Sequence, residues 1–139
     1  MNRKRHASRY RVLLVEDHAS LAEATAEVMQ SKGLDVRIAS TGREALEVAA
    51  TYRPEIVLCD MRLPDMTGLD VARALRAIPG LKAAVIAIHS LMTEHDLGAL
   101  SADAAAPLNL FMPKPITEEK IDVLISQLQS HAPQKRKVG

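Results

Sequence analysis

Five short apolar runs, each followed by a stretch with helical spacing, constrain the fold of this chain more than any other feature. The runs lie at about residues 11–15, 35–39, 56–59, 84–88 and 108–112. Strands that alternate with helices form a parallel sheet covered on both faces. Asp35 and Arg37 make the second run less apolar, which is typical of an edge strand. We therefore predict an α/β fold with a doubly wound, five-stranded parallel sheet.

Helical patterns follow the five runs, at about residues 19–32, 42–52, 69–77, 93–105 and from residue 118 onward. Apolar residues recur at helical spacing in the first pattern and place Leu21, Thr25, Val28 and Met29 on one face. Thr41 and Glu44 have the spacing of a capping box, and Thr117 is placed to cap the last helix. The predicted unit is thus a βα pair repeated five times.

The charge distribution separates the two tails from the body of the chain. Eight of the 18 basic residues lie before residue 12 or after residue 130, and none of the 17 acidic residues does, so residues 12–130 carry a formal charge of −7. An acidic body is unsuited to duplex DNA, where affinity comes from neutralising phosphates. We predict a basic N-terminal tail at 1–10, one domain at 11–131 and a basic C-terminal tail or linker remnant at 132–139. The tails could also make weak contacts with nucleic acid or membrane.

Cysteine content and hydropathy indicate a cytoplasmic protein. Cys59 is the only cysteine, which excludes an internal disulfide, and its apolar neighbours predict a buried structural thiol. No apolar stretch reaches the roughly 18 residues that span a bilayer, and no secretory signal is visible. We therefore expect no membrane partner.

Charged residues follow three of the predicted strands at the point where each ends. Glu16 and Asp17 follow the first strand, Asp60 the third and Lys114 the fifth. Open α/β sheets bind ligands at the carboxyl ends of their strands, so these side chains are expected to meet. Crowded carboxylates favour a divalent cation, and a neighbouring ammonium offers a counter-charge for an anion. The combination fits phosphoryl chemistry on an aspartate.

Each of these residues also has a purely structural interpretation. Glu16 and Asp17 could cap the helix that begins near residue 19, and Asp60 could cap its own loop. Lys114 stands between two prolines and could be a surface lysine in a stiff turn, where a cis bond before Pro115 costs little. Ser90, after the fourth strand, could donate a hydrogen bond to a phosphoryl oxygen or cap a helix.

Taken together, these residues resemble the receiver domain of bacterial two-component response regulators. The resemblance covers about residues 11–131. It rests on Val15-Glu16-Asp17 after strand one, the stretch from Asp60 to Gly68 (DMRLPDMTG) after strand three, and Lys114-Pro115 after strand five. The family implies a flavodoxin-like sheet of strand order 2-1-3-4-5 and a phosphoacceptor signalling domain rather than an enzyme.

The resemblance also implies a role for each site residue. Asp60 is the phosphoacceptor, and Lys114 pairs with the phosphoryl group. Mg²⁺ is held by the carboxylates of Glu16, Asp17 and Asp60 and by the backbone carbonyl of Arg62. The switch consists of a hydroxyl, which counting forward from Asp60 places at Ser90, and of an aromatic residue, Phe111. The implied donor is a histidine kinase or a histidine phosphotransfer protein, and the implied output is a downstream partner or effector domain, or a phosphorylation-dependent dimer.

Two departures from the family pattern leave alternatives open. Aligning strand four by its apolar run places His89, not Ser90, at the switch position. The stretch from residue 91 to 109 fits the family poorly, which keeps a second function open: a receiver-like interaction module that signals by binding, with weak or no phosphorylation. A haloacid-dehalogenase-type phosphatase is disfavoured, because its general acid would stand two residues after Asp60, where this chain has Arg62.

Overall fold

The computed structural model of the chain describes residues 9–91 and 101–138, and their side chains as far as residue 130. The elements in chain order are β1 (Arg11–Val15), α1 (Ala19–Ser31), β2 (Asp35–Ala39), α2 (Gly42–Tyr52), β3 (Ile56–Cys59), α3 (Gly68–Arg76), β4 (Val85–Ser90), α4 (Ala102–Ala105), β5 (Leu110–Pro113) and α5 (Glu118–Val138). Helix α5 continues beyond residue 131, where the sequence predicts the end of the domain.

The five strands form one parallel sheet in the order β2-β1-β3-β4-β5, as the family resemblance implied. The predicted edge strand β2 lies at one edge, and β5 lies at the other. Side chains along each buried strand alternate between two separate cores, one under α1 and α5 and one under α2 and α3. The inner strands β1, β3 and β4 are buried on both faces, which explains their continuous apolar runs.

The helix starts and stops follow local signals, with small corrections. The left-handed backbone of Gly33 ends the turn after α1. Thr41 caps α2 by accepting from the Glu44 N–H, but the Glu44 carboxylate bonds Ser40 rather than Thr41, so the predicted capping box is only half formed. In α1 the buried face holds Thr25 and Met29 as predicted, whereas Leu21 and Val28 are only half-buried.

The largest differences from the predicted elements lie around β4 and β5. Strand β4 continues two residues beyond the predicted end, so Ser90 lies in the strand, because Ala87–Ser90 pairs with Leu110–Pro113. Strand β5 begins two residues late, since Leu108 is still hydrogen-bonded back to Ala105.

The helix predicted at 93–105 lies mostly outside the described residues. Where it is described, it is not continuous, because Ser101 has an extended backbone and caps the short helix α4. None of the helices in the described ranges is both long enough and apolar enough to cross a membrane.

Candidate functional site

The ends of three strands bring Glu16, Asp60 and Lys114 to one edge of the sheet. Each of these residues comes directly after its strand, and its N–H donates to the carbonyl of the last residue of a neighbouring strand. Glu16 bonds Ala39 at 2.9 Å, Asp60 bonds Val15 at 3.0 Å and Lys114 bonds Ser90 at 2.9 Å. The ladder therefore continues one residue past each strand and fixes the backbone of all three residues.

The ammonium of Lys114 joins the two carboxylates. Its Nζ donates to Glu16 Oε1 at 2.8 Å and to Asp60 Oδ2 at 3.1 Å. The Glu16 side chain is buried, with a relative exposure of 3%, and those of Lys114 and Asp60 are mostly buried, at 11% and 14%. Burial alone lowers the pKa of Lys114, but its hydrogen bonds to Glu16 and Asp60 outweigh burial and hold that pKa above its usual value. The site thus contains a charged lysine within reach of Asp60.

Three carboxylates at this edge have the chemistry of a divalent cation site. Oxygen atoms of Glu16, Asp17 and Asp60 lie within 4.8 Å of one another. All three donors are carboxylate oxygens, and hard cations such as Mg²⁺ take oxygen ligands and keep several waters. Asp17 is exposed and Glu16 is buried, so the cluster is open to solvent on the Asp17 side. The residues present therefore fit the ion that the sequence predicts.

A cavity of about 700 Å³ opens over this cluster. Its lining includes Ser90 and Arg62 beside the acidic residues and Lys114. Ser90 is 7% exposed and reaches the cavity, whereas His89, the alternative at the switch position, is not part of its lining. Neighbouring residues of a strand face opposite sides of the sheet, and Ser90 falls on the side of Ile86 and Ile88.

Phe111 lies on the same side of the sheet as Ser90. It pairs with Ile88 in the β4–β5 ladder and packs, half-buried, against the core under α2 and α3.

The peptide bond between Lys114 and Pro115 is cis. Cys59 is buried as predicted, and burial raises the pKa of its thiol well above the ordinary value.

The loop after β3 holds Asp60 through contacts that the sequence analysis missed. The Asp65 carboxylate caps α2 from a distance, accepting from the N–H groups of Gly42 and Arg43 at 2.9 Å each. Those two bonds hold the pKa of Asp65 below its usual value. The N–H of Gly68 donates to the Met61 carbonyl at 2.7 Å. Asp65 follows a proline in a turn, but no local pattern shows that it reaches a helix over twenty residues earlier in the chain.

A capping box begins α3 at the end of this loop. The Thr67 hydroxyl accepts from the Asp70 N–H at 3.1 Å, and the Asp70 carboxylate accepts from the Thr67 N–H at 3.2 Å. The spacing of Thr67 and Asp70, three residues apart before an apolar helix, is the signal that could have placed this cap.

His89 lies behind the site, on the side of α1 and α5. It is 2% exposed, and its Nε2 has no hydrogen-bond partner among the described residues. Burial and, to a smaller extent, the ammonium of Lys114 lower the pKa of His89 to about 4. A buried, neutral imidazole on the far face of β4 is a poor candidate for a nucleophile or a metal ligand in the cavity.

Comparison with known proteins gives one consistent family. The family model of the response regulator receiver domain matches residues 12–126. The DNA-binding response regulator MtrA of Mycolicibacterium paratuberculosis is 36% identical over 106 residues, which cover 76% of this chain and 47% of that protein. A response regulator receiver protein of Anaeromyxobacter is 38% identical over 112 residues, which cover 80% of this chain and 45% of that protein.

Solved structures show the same fold. A CheY-like response regulator receiver domain from Methylobacillus flagellatus superposes with a TM-score of 0.77 at 26% identity, and the match covers 86% of this chain and 98% of that one. The chain spans about half the length of the curated relatives it matches, and nearly the full length of this receiver structure.

Proposed function

Because the chain belongs to the response regulator receiver domain family, we propose that it accepts a phosphoryl group on Asp60 and signals through the change that follows. The observation that carries the proposal is the ion-paired cluster in which Lys114 Nζ bonds both Glu16 and Asp60. The donor is a phosphohistidine of a kinase or of a histidine phosphotransfer protein. The phosphoryl transfer takes place in the cytoplasm.

Asp60 is the nucleophile of the proposed step. A carboxylate oxygen of Asp60 attacks phosphorus in line, the bond from phosphorus to the donor imidazole nitrogen breaks, and the electron pair leaves with that nitrogen. Positioning and electrostatics dominate such a transfer, because the transition state spreads negative charge over the equatorial oxygens. The backbone bond from Asp60 to Val15 and the loop contacts of Gly68 hold the nucleophile in place.

Glu16, Asp17 and Asp60 would supply carboxylate ligands for Mg²⁺, and the Arg62 backbone carbonyl would supply a further one. When bound, the ion offsets the charge of the carboxylates and of the transferring oxygens. Lys114, released in part from Asp60, pairs with a phosphoryl oxygen. Ser90 lines the same cavity and donates its hydroxyl to another oxygen.

The phosphoaspartate adds charge and acceptor atoms at the edge of the sheet. Movement of Ser90 toward it frees space on the face of the sheet that also carries Phe111, which turns inward. Phosphorylation thereby shifts a population between two states of β4 and β5. The readers of this change are a downstream protein, an effector domain or a second copy of the chain.

Labelling with acetyl phosphate and Mg²⁺ tests the proposal. Intact-mass measurement should show one added phosphoryl group on the wild type and none on Asp60→Asn. Asp122→Asn, a matched change at an exposed site on α5, should be labelled like the wild type. Label on Asp60→Asn would contradict the acceptor assignment. A folded wild type that takes no label from acetyl phosphate or from a phosphohistidine donor would favour the interaction module instead.

A further inference from the structure

The loop that carries Lys114 is held by a second lysine, Lys120. Pro113 and Pro115 stand on either side of Lys114, and neither has an N–H to donate. Lys120, in the first turn of α5, donates its Nζ to the Pro113 carbonyl at 2.6 Å and to the Pro115 carbonyl at 2.8 Å. One ammonium therefore ties the carbonyl groups immediately before and after Lys114.

These bonds complete the attachment of the loop. The Lys114 N–H already donates to the Ser90 carbonyl, which joins the loop to β4. The Lys120 bonds join the same three residues to α5, whose first turn is fixed by the Thr117 hydroxyl cap. The backbone of Lys114 is thus held from the sheet on one side and from the helix on the other.

The position of Lys120 is costly by itself, which indicates that its contacts matter. A cation in the first turn of a helix opposes the helix dipole, in contrast to Glu118 and Glu119 in the same turn. The charge of Lys120 also contributes to the lowered pKa of buried His89, although burial and the Lys114 ammonium contribute more. Two short bonds to carbonyls compensate for this placement.

We infer that Lys120 is a positioning residue that holds Lys114 between Glu16 and Asp60. Without the bonds to Pro113 and Pro115, the loop gains freedom, and the Lys114 ammonium spends less time on the two carboxylates. The expected change in labelling rate rests on the proposed function, whereas the expected change in the contacts of Lys114 with the two carboxylates does not. Lys120 itself touches neither carboxylate, so its influence passes through Lys114.

Two substitutions separate positioning from simple loss of a charge. Lys120→Met removes the donor and keeps much of the side-chain length, whereas Lys120→Arg retains several N–H donors for the two carbonyls. We expect Lys120→Met to lower the maximal rate of acetyl phosphate labelling about tenfold, with little change in half-saturating concentration, and Lys120→Arg to restore most of it. Lys82→Met, at an exposed lysine far from the site, should match the wild type.

Magnesium affinity gives a readout that does not depend on labelling. A Lys114 ammonium that leaves Glu16 and Asp60 competes less with a cation, so Lys120→Met should bind Mg²⁺ about twofold more tightly by calorimetry. A general loss of structure would weaken Mg²⁺ binding instead. In a Lys114→Met background, Lys120→Met should change neither the Mg²⁺ affinity nor any remaining labelling rate, because the group it positions is gone.

The inference is overturned if Lys120→Met weakens Mg²⁺ binding, or if its effects are the same with and without Lys114. It is also overturned if Lys120→Arg behaves like Lys120→Met. Absence of label on the wild type would contradict the proposed function alone, since the Mg²⁺ comparison between the Lys114 backgrounds would still decide the role of Lys120.

Discussion

The backbone of Gly68 lies directly against the backbone carbonyl of Asp60. A β-carbon at position 68 would overlap that oxygen and the end of the Ile88 side chain. The contact brings the start of α3 against the strand end that carries Asp60, so the loop from 60 to 68 closes into a compact turn. Only glycine permits this approach.

We predict that Gly68→Ala disturbs the site as well as the fold. The added methyl group must push Asp60 away from its bond to Val15 or displace α3, and overpacking of this kind costs about 2 kcal/mol of unfolding free energy. The labelling rate with acetyl phosphate should fall about tenfold, because a small misplacement of Asp60, the proposed nucleophile, is costly. Urea unfolding and intact-mass kinetics measure the two effects.

Gly33→Ala is the matched control for this substitution. Gly33 has a φ of +87°, and nothing lies within 4 Å of a β-carbon built there. The left-handed backbone should cost about 1 kcal/mol of unfolding free energy and leave labelling unchanged. A Gly68→Ala protein that labels at the Gly33→Ala rate would show that the contact with Asp60 does not position the nucleophile.

Local patterns were sufficient to predict a five-stranded parallel sheet and the strand ends that carry the site residues, whereas the strand order was implied by the family resemblance. Strands β1 and β3 are buried on both faces, so their runs are apolar throughout, and the first charged residue after each run marks the strand end. This is why the sequence alone predicts that Glu16 and Asp60 lie at the same edge of the sheet. The Thr117 cap was also predictable, because its hydroxyl bonds a backbone N–H only three residues further along the chain.

Contacts between distant segments were not predictable from such patterns. His89 and Ser90 look like the start of a loop because they are polar, yet pairing with Met112 and Pro113 makes them part of β4. The Asp65 carboxylate caps α2, far away in sequence. Periodicity reports burial along one element, and it does not report which side chain satisfies the backbone of another.

Just before β5, the side-chain oxygen of Asn109 accepts a hydrogen bond from the backbone of β4, as a backbone carbonyl would. This Oδ1 atom accepts from the N–H of buried Ile86 at 2.7 Å and from Arg76 at 2.6 Å. Arg76 also binds the carbonyls of Ala84 and Pro107, at 2.7 and 3.0 Å. This network joins the end of α3 to both β4 and β5.

We predict that Asn109→Ala lowers the unfolding free energy by about 2 kcal/mol, because it leaves the Ile86 N–H and the Arg76 guanidinium without their acceptor. Asn109→Asp keeps an oxygen for both donors and should retain most of the stability. Chemical denaturation of the three proteins measures the difference. Equal losses for the two variants would show that the amide N–H₂ group, not the oxygen, carries the contribution.

Buried His89 should make the protein sensitive to acid through a simple proton linkage. Its folded pKa of about 4 lies below its ordinary value of 6.5. Between pH 6.5 and 4, His89 is therefore protonated in the unfolded chain and neutral in the folded chain. Stability is unaffected by this group above pH 6.5 and falls as the pH drops through that window, by about 3 kcal/mol in total.

We predict that His89→Leu removes this acid sensitivity. Above pH 7 the variant should be at least as stable as the wild type, since His89 Nε2 has no partner among the described residues and leucine leaves no polar atom buried. Between pH 8 and pH 4.5 the variant should gain about 2.5 kcal/mol of unfolding free energy relative to the wild type. Urea unfolding from pH 8 to 4.5 measures both profiles, and the difference between them isolates His89 from the carboxylates that titrate in the same range. Parallel profiles would mean that His89 takes up its proton in the folded state and is not held neutral by burial.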